Sequence, residues 1–188
     1  MTQEIEIEYK VLLTKNEYET IASSLPFSTN SVIQVNYYFE TKQFDFKKQH
    51  SALRIREKNN QYTLTLKQPH KDGILETHDK LTEEEFNNWM NGNPPPTVHV
   101  GKQLKNMGIK VERINYFGSL TTKRRSFKLE DILYVLDEST YNGKVDYELE
   151  IEAPSKEKGL NVFNKIIQDF HISPKEPITK IERFFYSL

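Results

Sequence analysis

Glu6, Glu8 and Lys10 stand at alternate positions near the start of a 188-residue chain, in the run Glu4-Ile5-Glu6-Ile7-Glu8-Tyr9-Lys10-Val11. In a strand, successive side chains point to opposite faces, so the three acids and the lysine share one face and Ile5, Ile7, Tyr9 and Val11 the other. Neighbours on one face lie roughly 7 Å apart, and a row of carboxylates at that spacing repels itself unless it faces water, a metal or basic partners. A second acid ladder, Glu148, Glu150 and Glu152, alternates with Tyr147, Leu149 and Ile151. Cations collect on other runs: Arg54 and Arg56 alternate with Leu53 and Ile55, Lys67 follows Thr63 and Thr65, and Thr121, Lys123 and Arg125 share a face. Glu76, His78 and Lys80 alternate less cleanly with Leu75, Thr77 and Asp79. Gathered carboxylates can hold hard divalent cations through oxygen, and gathered arginines and lysines can hold phosphate oxygens.

These residues need strands to present them, and the chain supplies about eight. Val32 to Thr41 is rich in β-formers; Ala52 to Glu57 and Gln61 to Gln68 read as a hairpin across Lys58-Asn59-Asn60, and Ile74 to Leu81 follows. Arg113 to Lys128, with an interruption expected near Gly118, then Ile132 to Ser139 and Val145 to Ala153 complete the set, with Tyr141-Asn142-Gly143-Lys144 as a hairpin turn. Helices are expected after Thr14, after Thr82 with its acids in the first turn, from His99 to Met107, after Ser155 as far as Phe170, and from Ile178 to Tyr186. Hairpin-linked strands with helices outside make an antiparallel α+β protein, and closure into a barrel is the expected form. For one strand alone, a polar side in water explains the alternation. Solvated faces mix lysine with glutamate, however, and here the signs are sorted by strand. Turned inward, such faces give a lumen with an acidic wall and a basic wall, suited to a polyphosphate bound with its metal.

Composition narrows the classes further. The length suits one domain spanning residues 1–188. Twenty-six basic residues balance 27 acidic ones, so a global field for nucleic acid is absent and any electrostatic site is local. The absence of cysteine removes disulfides, thiolate metal sites and thiol nucleophiles. No apolar run approaches the ~20 residues of a spanning helix, and no signal-peptide pattern opens the chain; a soluble cytoplasmic protein without a membrane partner is expected. The five histidines lack the i, i+4 spacing of a helical zinc motif. Trp89 and Phe86 read as packing, and Arg124, between Lys123 and Arg125, is expected on the outer face.

Glu6-x-Glu8-x-Lys10 resembles the ExExK signature of the CYTH superfamily, the triphosphate tunnel metalloenzymes. Arg54-x-Arg56, Lys67, Lys123-x-Arg125, Asp137, Glu148-x-Glu150-x-Glu152 and Lys180 follow in the family's order, so the resemblance covers residues 4 to 180. It implies an eight-stranded antiparallel β-barrel, a tunnel with a charged polar lumen and helices packed outside, that binds a small-molecule triphosphate with Mg²⁺ or Mn²⁺, two ions being expected. By the same resemblance Glu6, Glu8, Glu148, Glu150 and Asp137 correspond to metal ligands. Lys10, Arg54, Arg56, Lys67, Lys123, Arg125 and Lys180 correspond to phosphate-binding cations. His78 is a departure from the family's basic and acidic alternation, read as a phosphate donor or proton carrier or as an ordinary polar residue.

The leading expectation is a metal-dependent triphosphatase acting on inorganic triphosphate or an organic triphosphate such as thiamine triphosphate, with Glu150 or Glu152 orienting the water and Lys10 beside them. The first alternative is a class IV adenylyl cyclase, whose nucleoside pocket Tyr37, Tyr38 or Phe39 would line unless they are packing residues. The second is a noncatalytic polyphosphate or nucleotide binder, against which the intact acid ladder argues. Lys180 and Arg183 either close over the phosphates or belong to an exposed helix face.

Overall fold

The computed structural model describes residues 2–173 and 179–187. Among the described residues nine strands run in the order β1-β6-β5-β4-β3-β7-β8-β9-β2. They are β1 (Gln3–Glu6), β2 (Glu8–Leu13), β3 (Val32–Thr41), β4 (Ala52–Lys58), β5 (Gln61–His70), β6 (Gly73–Leu81), β7 (Ile114–Leu129), β8 (Ile132–Tyr141) and β9 (Lys144–Glu152). The antiparallel α+β class expected from the alternation is the one observed. The count is nine instead of eight because the N-terminal strand breaks at Ile7, whose carbonyl accepts from the Ala153 N–H at 3.0 Å. β7 runs through Gly118 without interruption.

The chain divides into two compact units. The first comprises Gln34–Leu120 with the N-terminal residues up to Ile5. Its core takes the apolar alternates of the strands: Phe39, Leu53, Ile55, Leu64 and Leu66, all at most 1% exposed, pack with Phe46 and Trp89. Helix α2 (Asp45–Lys48) carries Phe46, α3 (Glu83–Met90) carries Trp89, and α4 (His99–Asn106) adds Val100 and Leu104. The short α2 has no sequence signal of its own. It forms because the buried Glu40 carboxylate accepts from the backbone N–H groups of Thr41, Phe46 and Lys47 at 2.8–3.1 Å, filling orphan donors of a helix start. Thr82 and Glu85 form the expected capping box of α3. Trp89 meets Phe39 edge to face with centroids 5.2 Å apart, and Phe86 stacks on Tyr62 at 4.3 Å, so both aromatics are packing residues.

The second unit comprises Glu6–Ile33 and the chain from Thr121 onward. Val11, Leu13, Leu136, Leu149 and Ile151 pack here against α1 (Lys15–Ser24) and α5 (Lys156–Asp169) through Tyr18, Ile21 and Ile166. Thr14 with Glu17 forms a capping box for α1, and Ser155 caps α5 at Lys158. Asn142 (φ 44°) and Gly143 (φ 75°) make the β8–β9 hairpin with two consecutive left-handed residues, the geometry that favours this pair of residue types. Gly159 is required by contact: a Cβ there would lie 2.8 Å from the Tyr9 ring and 2.9 Å from Ala153. The terminal helix α6 (Lys180–Phe185) starts from a Thr179–Glu182 capping box; Ile178, placed in that helix by the sequence reading, lies outside the described residues.

Candidate active site

In the second unit, strand register fixes which side chains share a face. Arg124 pairs with Asp137, Asp137 with Glu148, and Glu150 with Lys10, while Glu8 stands opposite Glu152. These groups therefore line the face away from the apolar core, because their strand neighbours Leu136, Leu149 and Val11 are the core. Asp137, Glu148 and Glu150 are 0%, 1% and 5% exposed, so their charges need partners inside the protein.

Lys180 is the central partner. From α6 its Nζ reaches Asp137 Oδ2 at 2.8 Å, Glu148 Oε1 at 2.7 Å and Glu150 Oε1 at 2.6 Å. Arg124 donates its Nε and Nη2 to the two Asp137 oxygens at 2.8 and 2.6 Å, and Nη2 also meets Glu150 Oε2 at 2.8 Å. Arg183, 8% exposed, pairs through Nη2 with Glu148 Oε2 and through Nε with Asp146 Oδ2, both at 2.8 Å. Lys10 pairs with Glu8 along the same strand. Lys180 and Arg183 thus point inward, which removes the exposed-face reading of α6.

Two carboxylates of this set titrate in opposite directions. Burial pushes Glu148 up, with the negative Glu150 adding to it and Lys180 opposing. Burial also acts to raise Glu150, but Lys180, Arg124 and Lys10 together outweigh it and hold that carboxyl well below the usual range. One acid of the ladder therefore stays ionised firmly while its neighbour holds a proton more readily, the division of labour that acid–base sites use.

The first unit holds the other charged set. Arg54 pairs in register with Thr65 and Tyr38, Arg56 with Thr63 and Asn36, Lys67 with Glu76, and Thr65 with His78. Arg56 Nε donates to Asn36 Oδ1 at 2.9 Å, and Arg56, Lys58, Asn59, Gln61 and Thr63 line a cleft of about 340 Å³. Glu76, 6% exposed, pairs with Lys67 and lies 3.9 Å from Arg54. His78 Nε2 meets Glu4 Oε1 at 3.3 Å and Glu76 Oε2 at 3.4 Å, and its Nδ1 meets Thr65 Oγ1 at 3.0 Å. His78 is therefore engaged with carboxylates on one side and a hydroxyl on the other. Asp79, which blurred the alternation of β6, faces the helices: its carboxylate accepts from the His99 and Val100 N–H groups at 2.7–3.2 Å and caps α4. Tyr37 and Phe39 pack against Phe86 and Trp89, and only Tyr38 of that run shares the Arg54 face.

One part of the sequence reading is corrected by register. The β7–β8 hairpin turns on two residues, Glu130 and Asp131, so Leu129 pairs with Ile132 and Arg124 with Asp137. Arg124 therefore occupies the carboxylate face, and Lys123 and Arg125 the opposite one. Lys123 is half-exposed and pairs with Glu138 at 2.9 Å, while Arg125 stands opposite Leu136, near the Tyr18 hydroxyl. The signal that would have placed Arg124 was the two-residue turn, counted back from Asp137. Glu6, at the end of β1, and Glu152 have polar interactions of their own.

The CYTH domain model matches residues 4–185. The chain belongs to the CYTH family. Among CYTH relatives, the protein named "Putative triphosphatase YjbK" from Bacillus subtilis (strain 168) is 45% identical over 186 residues, 98% of this chain and 96% of that one. A crystal structure described as a "putative adenylate cyclase" from Bacillus halodurans is 39% identical with a TM-score of 0.94, covering 98% of this chain and 100% of that one. HpAC1 from Hippeastrum, described as a "putative adenylyl cyclase" with a dominant triphosphatase activity, has a TM-score of 0.78 at 22% identity over 97% and 96% of the two chains. At that identity it shows the CYTH fold alone. No helix among the described residues is long and apolar enough to cross a membrane.

Proposed function

We propose that this chain is a metal-dependent triphosphatase that hydrolyses the terminal phosphoryl group of a small triphosphate. The observation that carries the reading is the convergence of the Asp137, Glu148 and Glu150 carboxylates on one cationic point, within 2.8 Å of Lys180 Nζ. A triad of oxygens that already centres on a cation fits Mg²⁺ or Mn²⁺, which take carboxylate oxygens. Asp137, Glu148 and Glu150, with Glu8 and Glu6 on the adjoining strand ends, would hold the metal; when bound it neutralises phosphate oxygens and makes water a better nucleophile. The 45% identical relative named as a triphosphatase supports the same reaction.

The protein's own groups supply the rest. Arg124, whose planar fork is engaged by Asp137 and Glu150, fixes those two carboxylates, and Lys10 and Lys180 act as point charges toward the phosphates. Arg54, Arg56 and Lys67 form a second set of phosphate-binding cations. Glu150, held ionised by its three cations, orients the attacking water by accepting its hydrogen bond, while Glu152 stands opposite Glu8 as the next acid of the ladder. The substrate class is inorganic triphosphate or an organic triphosphate such as thiamine triphosphate.

The experiment is phosphate release from tripolyphosphate, thiamine triphosphate and ATP with Mg²⁺ or Mn²⁺, measured beside cyclic AMP formation. Phosphate as the main product, lost in Glu150→Gln while the circular dichroism spectrum is kept, supports the reading. The 39% identical structure described as an adenylate cyclase favours the second reading, cyclisation of ATP. Cyclic AMP with pyrophosphate as the main products would overturn hydrolysis, and turnover unchanged in Glu150→Gln would remove the assigned carboxylate.

A further inference from the structure

We propose that Glu4, Glu76 and His78 form a binding site for a divalent transition-metal ion within the first unit. Its residues are separate from the Asp137, Glu148 and Glu150 set, and the inference does not depend on the hydrolase reading. The three side chains each bring a ligand atom, and these atoms all lie within 4.8 Å of one another. His78 Nε2 stands 3.3 Å from Glu4 Oε1 and 3.4 Å from Glu76 Oε2. Metal–ligand bonds of about 2.0–2.1 Å in a tetrahedral arrangement place neighbouring ligand atoms roughly 3.3 Å apart. The two His78–carboxylate spacings are thus those of ligands around one ion, and the two carboxylates, within 4.8 Å of each other, need close only slightly to complete the set.

The surroundings orient the donors. Thr65 Oγ1 lies 3.0 Å from His78 Nδ1, so with Nδ1 protonated and donating to the hydroxyl, the Nε2 lone pair is directed at the two carboxylates. Strand pairing fixes the backbone: Thr65 is the register partner of His78, and the His78 N–H donates to the Thr2 carbonyl at 2.9 Å, which brings β1 and hence Glu4 alongside β6. Gln3 Nε2 donates to Thr77 Oγ1 at 3.0 Å and holds the same pair of strands. Glu76 divides its oxygens, Oε1 toward Lys67 and Arg54 and Oε2 toward His78. Glu4 is half-exposed, which gives the ion a route from solvent.

The donor set also selects the ion. One imidazole and two carboxylates suit Zn²⁺, Co²⁺ or Mn²⁺, whereas Mg²⁺ prefers an all-oxygen shell with several waters. Without a metal, a protonated His78 would bridge the same carboxylates, and this is the reading the experiment has to separate.

The test is titration of the full chain with Co²⁺, read by the visible absorption of nitrogen-ligated Co²⁺ and by calorimetric stoichiometry, with excess Mg²⁺ present to fill oxygen-only sites. The expected result is one Co²⁺ per chain with that spectrum, lost in His78→Gln and in Glu4→Gln, retained in Glu150→Gln, and weakened about tenfold in Thr65→Val. The exposed Glu4→Gln change guards against a folding defect in His78→Gln. An unchanged spectrum and stoichiometry in both His78→Gln and Glu4→Gln, or a signal lost only in Glu150→Gln, would overturn the proposal. Activity enters none of these readouts, so failure here leaves the proposed hydrolysis standing and failure of hydrolysis leaves this site standing.

Discussion

Replacing Lys180 by methionine removes the ammonium shared by three buried carboxylates and keeps most of the side chain's bulk. In the native arrangement Asp137, Glu148 and Glu150 face Lys180, Arg124 and Arg183, with Lys10 also acting on Glu150 and Arg183 shared with Asp146. The variant removes the cation that touches all three of these carboxylates, which are at most 5% exposed. Removing one partner of a buried ion pair costs about 3–5 kcal/mol. For a chain of this length each kcal/mol corresponds to about 2–4 °C, so in chelator the melting temperature should fall by about 6–20 °C. A divalent ion that binds the same oxygens restores the missing charge, and at a thousandfold excess over Kd it returns about 4 kcal/mol. In the unmodified protein the ion must first displace Lys180 from those oxygens, so its stabilising effect there should be smaller. Differential scanning fluorimetry of both proteins, in EDTA and in Mg²⁺ or Mn²⁺, measures all four values. A melting temperature depressed equally with and without the ion, or a larger ion effect in the unmodified protein, would refute the idea that ammonium and metal share one seat.

Other expectations follow from the same contacts. Arg124→Ala should reduce triphosphate turnover at least a hundredfold, because it removes the forked partner of Asp137 and Glu150; Lys123→Ala, on the opposite face, should leave turnover within twofold, and equal losses in the two variants would contradict the register. Burial, with the hydroxyl donated to Asp146, pushes Tyr141 up to about 12. Since this group binds its proton more tightly folded than unfolded, its contribution to stability is complete below pH 10 and is lost as pH rises toward 12. Tyr141→Phe should therefore flatten the alkaline fall in stability across that window, checked by urea unfolding at a series of pH values. Asp79→Ala should uncap α4 and cost about 1 kcal/mol, or ~2–4 °C, with Asp79→Asn recovering most of it.

The strands were legible in the sequence because half of each one had to be apolar: Leu53 and Ile55, Leu64 and Leu66, and Leu149 and Ile151 carry a period of two that only a pleated strand turns into one buried face. The same period located the carboxylate ladder of β9. What it could not supply was pairing. Lys123-Arg124-Arg125 offers a cation on either face, and only the two-residue turn at Glu130 and Asp131 decides which one meets Asp137. Long-range capping was equally hidden, since Glu40 and Asp79 are ordinary acids in sequence and acquire their roles from backbone N–H groups 6 to 21 residues away. The position of Lys180 over three carboxylates depends on how α6 docks, which no local pattern encodes.

The break of the N-terminal strand at Ile7 also bears on how the protein behaves in a crowded solution. A long strand at the end of a sheet presents unpaired N–H and C=O groups on which another chain can template itself. Here the two ends of the strand order are β1, of four residues, and β2, of six, consecutive pieces of one segment that carries Glu4, Glu6 and Glu8. Short, charged terminal strands leave little surface for intermolecular pairing. Mutations that unseat this segment from β6 or β9 should therefore show first as aggregation on storage, before any loss of helix or strand content is seen.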